Sequence, residues 1–128
     1  MTTPNSAVNQ HPPQERRQYP RVKGEIPVKI QQEDGDMVTE TENISRSGAY
    51  CRVNRYVKPM TKLKISLLLP MKRMGKNLTT KISCEGIVVR AEPVEGDDFY
   101  HAAIFFNNIS QKDSDSIAEY VNYYLEKG

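Results

Sequence analysis

The sequence predicts an all-β fold followed by a single C-terminal helix. Three observations lead there. Apolar and polar residues alternate over most of positions 26–106, turn-forming residues break that alternation repeatedly, and helical spacing occurs only near the end. In chain order, Ile26, Val28 and Ile30 alternate with Pro27 and Lys29, and the proline assigns this first strand to a sheet edge. Asp34-Gly35 is a hairpin signal, and a second strand follows over 36–44. Ala49, Cys51 and Val53 carry a third. Leu63, Ile65, Leu67 and Leu69 keep a period of two against Lys62, Lys64 and Ser66, which gives a fourth strand ending at Pro70. Residues 79–91 make a long fifth strand, 92–97 a turn and 99–106 the sixth. Ile117, Tyr120, Val121, Tyr124 and Leu125 then share one stripe of a helix over about 112–126. Ser110-Gln111-Lys112-Asp113 has the form of a capping box, and Asp113 and Asp115 suit the positive end of that helix. Tyr120, Tyr123 and Tyr124 are expected to pack.

A chain of 128 residues fits one domain. Residues 1–14 hold three prolines and no charged side chain, so they read as a disordered tail. Residues 15–23 form a basic arm lying beside the fold, in which Pro20 keeps Tyr19 extended. The domain thus covers 15–128, with its strands in 24–107. The net charge of +2 conceals a gradient: residues 1–51 sum to −1, 52–90 to +9 and 91–128 to −6. Two readings of the +9 stretch stand side by side, a basic face for an anionic partner or lysines solvating outer strand faces. Cys51 and Cys84 are far apart and in phase with apolar residues, which points to free buried thiols, with no metal site or disulfide framework. Apolar runs such as Leu67-Leu68-Leu69 are far too short to span a membrane. The chain is expected in the cytoplasm without membrane insertion, where the Asn-x-Ser/Thr triplets at Asn43, Asn77 and Asn108 carry no glycosylation meaning.

Two short motifs hold the chemistry. Arg16-Arg17-Gln18-Tyr19-Pro20-Arg21 gathers three guanidinium groups, and Asn43-Ile44-Ser45-Arg46-Ser47-Gly48 sets an amide, a hydroxyl and a glycine where two strands meet. An arginine fork matches guanine N7 and O6, grips phosphate oxygens bidentately and stacks on a base. Both motifs together equip the chain for a small guanine nucleotide. The pattern Arg17-x-x-x-Arg21 followed by Asn43-x-Ser45-x-x-Gly48 resembles the PilZ family, bacterial receptors for cyclic di-GMP, over all but the first fifteen residues. The resemblance implies that the six strands close into an antiparallel barrel covered by the helix. It implies a binding site made of Arg16, Arg17, Arg21, Asn43, Ser45 and Gly48. Arg17 and Arg21 would serve phosphate and the guanine edge, and Arg16 would favour an intercalated ligand dimer. Asn43 replaces the more usual Asp and would meet guanine N1–H or N2–H, while Ser45 would bridge base and turn. Gly48 would supply a positive φ or room for the ligand. Arg46 points either at a phosphate or into solvent. Ala102-Ala103-Ile104-Phe105 departs from a Gly-Val-x-Phe pattern in the last strand.

The leading expectation is therefore a non-enzymatic receptor whose ligand draws the arm onto the fold and alters a surface read by a downstream protein. No cofactor, metal site or catalytic residue is expected: the sequence has no metal-spaced cluster, nucleophile elbow or phosphate-binding glycine loop. His11 reads as inert and His101 as structural. The alternative is a small-barrel binder of single-stranded nucleic acid, motivated by the +9 stretch. It lacks stacking aromatics in its long strands, so nucleic acid is not the expected partner.

Overall fold

The computed structural model describes residues 20–33 and 35–127. The tail 1–14, Arg16, Arg17, Tyr19 and Asp34 therefore lie outside the described residues. Among the described residues, seven antiparallel strands precede one helix: β1 (Val22–Lys23), β2 (Pro27–Gln31), β3 (Met37–Ser45), β4 (Gly48–Val53), β5 (Lys62–Arg73), β6 (Lys76–Pro93), β7 (Tyr100–Asn108) and α1 (Gln111–Lys127). Strands β3, β2, β5, β6, β7 and β4 pair in that order, and β4 pairs back to β3, so the sheet returns on itself as a ring. The inward residues of the strands meet in one core, including Val28, Ile30, Ile44, Leu67, Leu69, Ile82 and Val88, joined by Ile26 just before β2. The helix adds Ile117, Tyr120 and Val121 to that core. Ser110 caps it by accepting from the Asp113 N–H at 3.1 Å.

Three expectations change. Residues 22 and 23, assigned by sequence to the arm, form β1, with Val22 opposite Ile44 and Lys23 opposite Asn43. That makes seven strands among the described residues where six were expected. Strand β2 is no edge, because it pairs with both β3 and β5. Pro27 is tolerated as its first residue, since the β5 ladder starts only at Val28. Strand β5 also continues through Pro70 to Arg73, turning at Met74 and Gly75, both with positive φ, into β6. Pro70 survives there because β2 has already ended, leaving its nitrogen nothing to pair with on that side.

Thr41 fixes the junction between β1 and β2. Its buried hydroxyl accepts from Ile26 N–H at 3.1 Å and donates to the Gly24 carbonyl. Both partners would otherwise be unpaired polar groups near the core.

Candidate functional site

The site grows from a break in strand β3. Thr41 faces Cys51 across the β3–β4 ladder, yet the next pair is Asn43 with Tyr50. Glu42 is thus an extra residue, a β-bulge that lets Glu42 and Asn43 both face outward while Ile44 returns to the core. Strand β3 ends at Ser45, and Arg46 and Ser47 form the turn into Gly48.

Ser45 is fully buried. Its Oγ lies 3.0 Å from Ser47 Oγ and accepts from Ser47 N–H at 3.2 Å, so its hydroxyl serves the turn directly. Gly48 differs from both roles expected of it. Its φ is not positive, and the space beside it belongs to strand β7. A Cβ there would sit 2.2 Å from the Ile104 carbonyl oxygen. The glycine lets two backbones approach closely.

Arg21 reaches this turn from the arm. One guanidinium nitrogen donates to Asn43 Oδ1 at 3.0 Å and to the Gly48 carbonyl at 3.4 Å. The pairing of β1 with β3 explains the meeting, because it fixes the chain one residue from Arg21 against Ile44. Arg16 and Arg17 are outside the described residues. Arg46 takes neither course expected of it. Its Nε donates to Ser114 Oγ at 3.1 Å and its NH2 group to Asp115 Oδ1 at 2.7 Å, tying the turn to helix α1.

Beside Asn43 lies a polar face that the motifs did not announce. His101 Nε2 is 2.9 Å from Glu42 Oε1, and its ring lies 5.4 Å from that of Tyr50. The Tyr50 hydroxyl donates to Glu92 at 3.3 Å, while the Arg90 guanidinium lies 5.8 Å from the Tyr50 ring centre. Asn-rich turns carry a sequence signal, whereas this face depends on which strands become neighbours. Burial pushes the Cys51 thiol up to about 12, with a smaller push from Glu42. Burial does the same at Cys84, aided by Asp113 and Glu85, so both thiols stay protonated near neutrality. Among the described residues no cluster of His, Cys, Asp and Glu could hold a metal, and no helix is long and apolar enough to cross a membrane. Chemically, the arrangement offers a guanidinium, an outward amide and an aromatic ring on one outer face.

Comparison with known proteins bears on the whole fold. The family model described as PilZ domain matches residues 15–123. Among solved structures, the Bacillus subtilis inhibitor of motility, MotI/DgrA, is similar with a TM-score of 0.78 and 22% identity, covering 91% of this chain and 57% of that one. The PilZ domain of Escherichia coli YcgR with c-di-GMP gives a TM-score of 0.61 at 12% identity, covering 88% and 92%. The MrkH–c-di-GMP complex of K. pneumonia gives 0.70 at 15% identity, covering 88% and 52%. The chain thus spans little more than half of MotI/DgrA and of MrkH. No curated protein sequence matches it.

Proposed function

The chain belongs to the PilZ domain family, and on that premise we propose that it is a non-enzymatic receptor for cyclic di-GMP, bound between the arginine arm and the β3–β4 turn. One observation carries the reading: the Arg21 guanidinium bonds both Asn43 Oδ1 and the Gly48 carbonyl, so the last arginine of the first motif lies against the second. Two of the similar structures, those of YcgR and MrkH, are complexes with c-di-GMP, which lends the reading support.

In this reading Arg17 and Arg21 take the phosphates and the guanine N7/O6 edge. Asn43 accepts from guanine N–H groups, a contact weaker than a carboxylate would make. Ser45 and Gly48 act by holding the turn in shape. Arg16 adds a stacking surface for a second, intercalated ligand molecule. Ordering the arm costs about 1–2 kcal/mol per residue. Several charge-assisted bonds of about 1.5–3 kcal/mol each offset it. The ordered arm then presents an altered surface to a downstream protein. The proposed setting is the cytoplasm, which suits the free thiols of Cys51 and Cys84.

Isothermal titration of the full chain with cyclic di-GMP tests this, because it reads affinity and molar ratio together. The expected ratio is two ligands per chain, and Arg17→Ala or Arg21→Ala should weaken binding roughly ten- to a hundredfold. Unchanged affinity in both variants would overturn the site. Tighter binding of an unstructured oligonucleotide, lost steeply with added salt, would favour the nucleic-acid reading instead.

A further inference from the structure

The far half of the β5–β6 hairpin projects beyond the ring. Strand β2 pairs with β5 only at residues 64–67, and β7 pairs with β6 only from Glu85 onward. Residues 68–73 and 76–83 therefore form a two-stranded ribbon with two outer edges. The edges differ. Ser83 donates its N–H sideways to Asp113 Oδ2 at 3.4 Å, away from β5. By antiparallel alternation, Asn77, Thr79 and Lys81 turn their N–H and C=O groups the same way, and they lie opposite Lys72, Pro70 and Leu68. On the β5 edge the middle position is thus Pro70, which offers no donor and blocks an added strand. On the β6 edge all three positions keep theirs. Asp113 closes only the last position, Ser83.

Charge and shape around this edge are equally one-sided. Lys72, Lys76 and Lys81 have no carboxylate partner among the described residues, and the segment 62–83 contains no acidic residue. The nearby helix carboxylates are occupied, Asp113 by Ser83, Asp115 by Arg46 and Glu119 by Arg73 at 3.0 Å. Beneath the edge runs a groove of about 370 Å³ between the ribbon and α1, lined by Met71, Leu78, Tyr120 and Tyr124 among others. Leu78 is 47% exposed there, and Met74 at the tip is 98% exposed.

We propose that the free β6 edge at residues 77–81 is a docking strip on which an extended, acidic segment of a partner protein adds as a strand. Backbone bonds to Asn77, Thr79 and Lys81 supply the pairing. Carboxylates on alternate positions meet Lys72 and Lys81 on the outer face, and the apolar positions between them enter the groove on the helix side. A nucleic acid would answer the lysines but leave the groove unused. The strip is independent of the dinucleotide reading.

The test uses the full chain, labelled with 15N, and a fluorescein-tagged eight-residue peptide alternating Glu and Val. Binding should shift the amide signals of Asn77, Thr79 and Lys81. A Lys/Val peptide should bind at least tenfold more weakly. Thr79→Pro removes a donor that points away from β5, so the ribbon should survive while peptide affinity falls at least tenfold. If that variant loses its fold, the pair Lys72→Glu and Lys81→Glu decides, with the same tenfold loss expected. No shift on the strip, or full affinity in the variants, would overturn the proposal. So would binding of a dT oligonucleotide or a phosphatidylglycerol vesicle at the strip in place of the peptide.

Discussion

The β3–β4 and β5–β6 hairpins each turn on two residues and each carry a glycine, yet different constraints hold them. At β3–β4 the glycine is crowded: strand β7 passes so close to Gly48 that any side chain would strike the Ile104 carbonyl. At β5–β6 nothing lies within 4 Å of a Cβ built on Gly75, and the requirement is its φ of +76°. Packing fixes the first hairpin and local backbone conformation fixes the second. The first is therefore a rigid platform for a site, and the second is an outlying ribbon that tolerates change.

That contrast can be broken or sharpened by experiment. The largest effect belongs to Gly48→Ala, which should destabilise the fold by about 2–4 kcal/mol because backbone must shift. Gly75→Ala should cost only about 1–2 kcal/mol for a left-handed residue with a Cβ. Equal losses in denaturant titrations would erase the distinction. Next comes Thr41→Val, which strips the partners from Ile26 N–H and the Gly24 carbonyl and should cost about 1–3 kcal/mol. Hydrogen exchange should then quicken at Val22 and Lys23 and stay unchanged in the ribbon.

Alkaline titration gives a smaller effect. The unfolded thiols lose their protons near 9.0, whereas Cys51 and Cys84 hold theirs to about 12 in the fold. Between those values the unfolded chain binds fewer protons, so stability should fall as pH rises above about 9 and stay flat below about 8. Cys51→Ala should make that fall shallower. Smaller again is the tie from turn to helix: a double-mutant cycle of Arg46→Ala and Asp115→Asn should yield a coupling of about 0.2–1 kcal/mol, since Asp115 is largely exposed. Met74→Ser, at the ribbon tip, should stay within about 0.5 kcal/mol of the parent.

Alternation made most of this fold legible, because it records which face of a strand is buried. Ile26, Val28 and Ile30 lie in the core as their spacing implied, and so do Leu63, Ile65, Leu67 and Leu69. Alternation does not record which strand lies alongside. Pro27 thus read as an edge marker and Pro70 as a stop, when each merely sits where one neighbour is missing. Strand β1 is two residues long, too short for any period to register. At the site, residue types in the second motif revealed the turn but not its internal economy. Ser45 bonding within the turn, Gly48 meeting β7 and Arg46 reaching α1 depend on partners 2, 56 and 69 positions away. The polar face of Glu42, Tyr50 and His101 was invisible for the same reason.

The bulge at Glu42, more than residue identity, decides which way this part of the chain faces. Laid out in strict alternation with every residue kept, Asn43 would swing through the wall into the interior and Ile44 would turn out toward water. The hairpin could keep every recognised letter of its motif and still present them to the wrong compartment of the molecule.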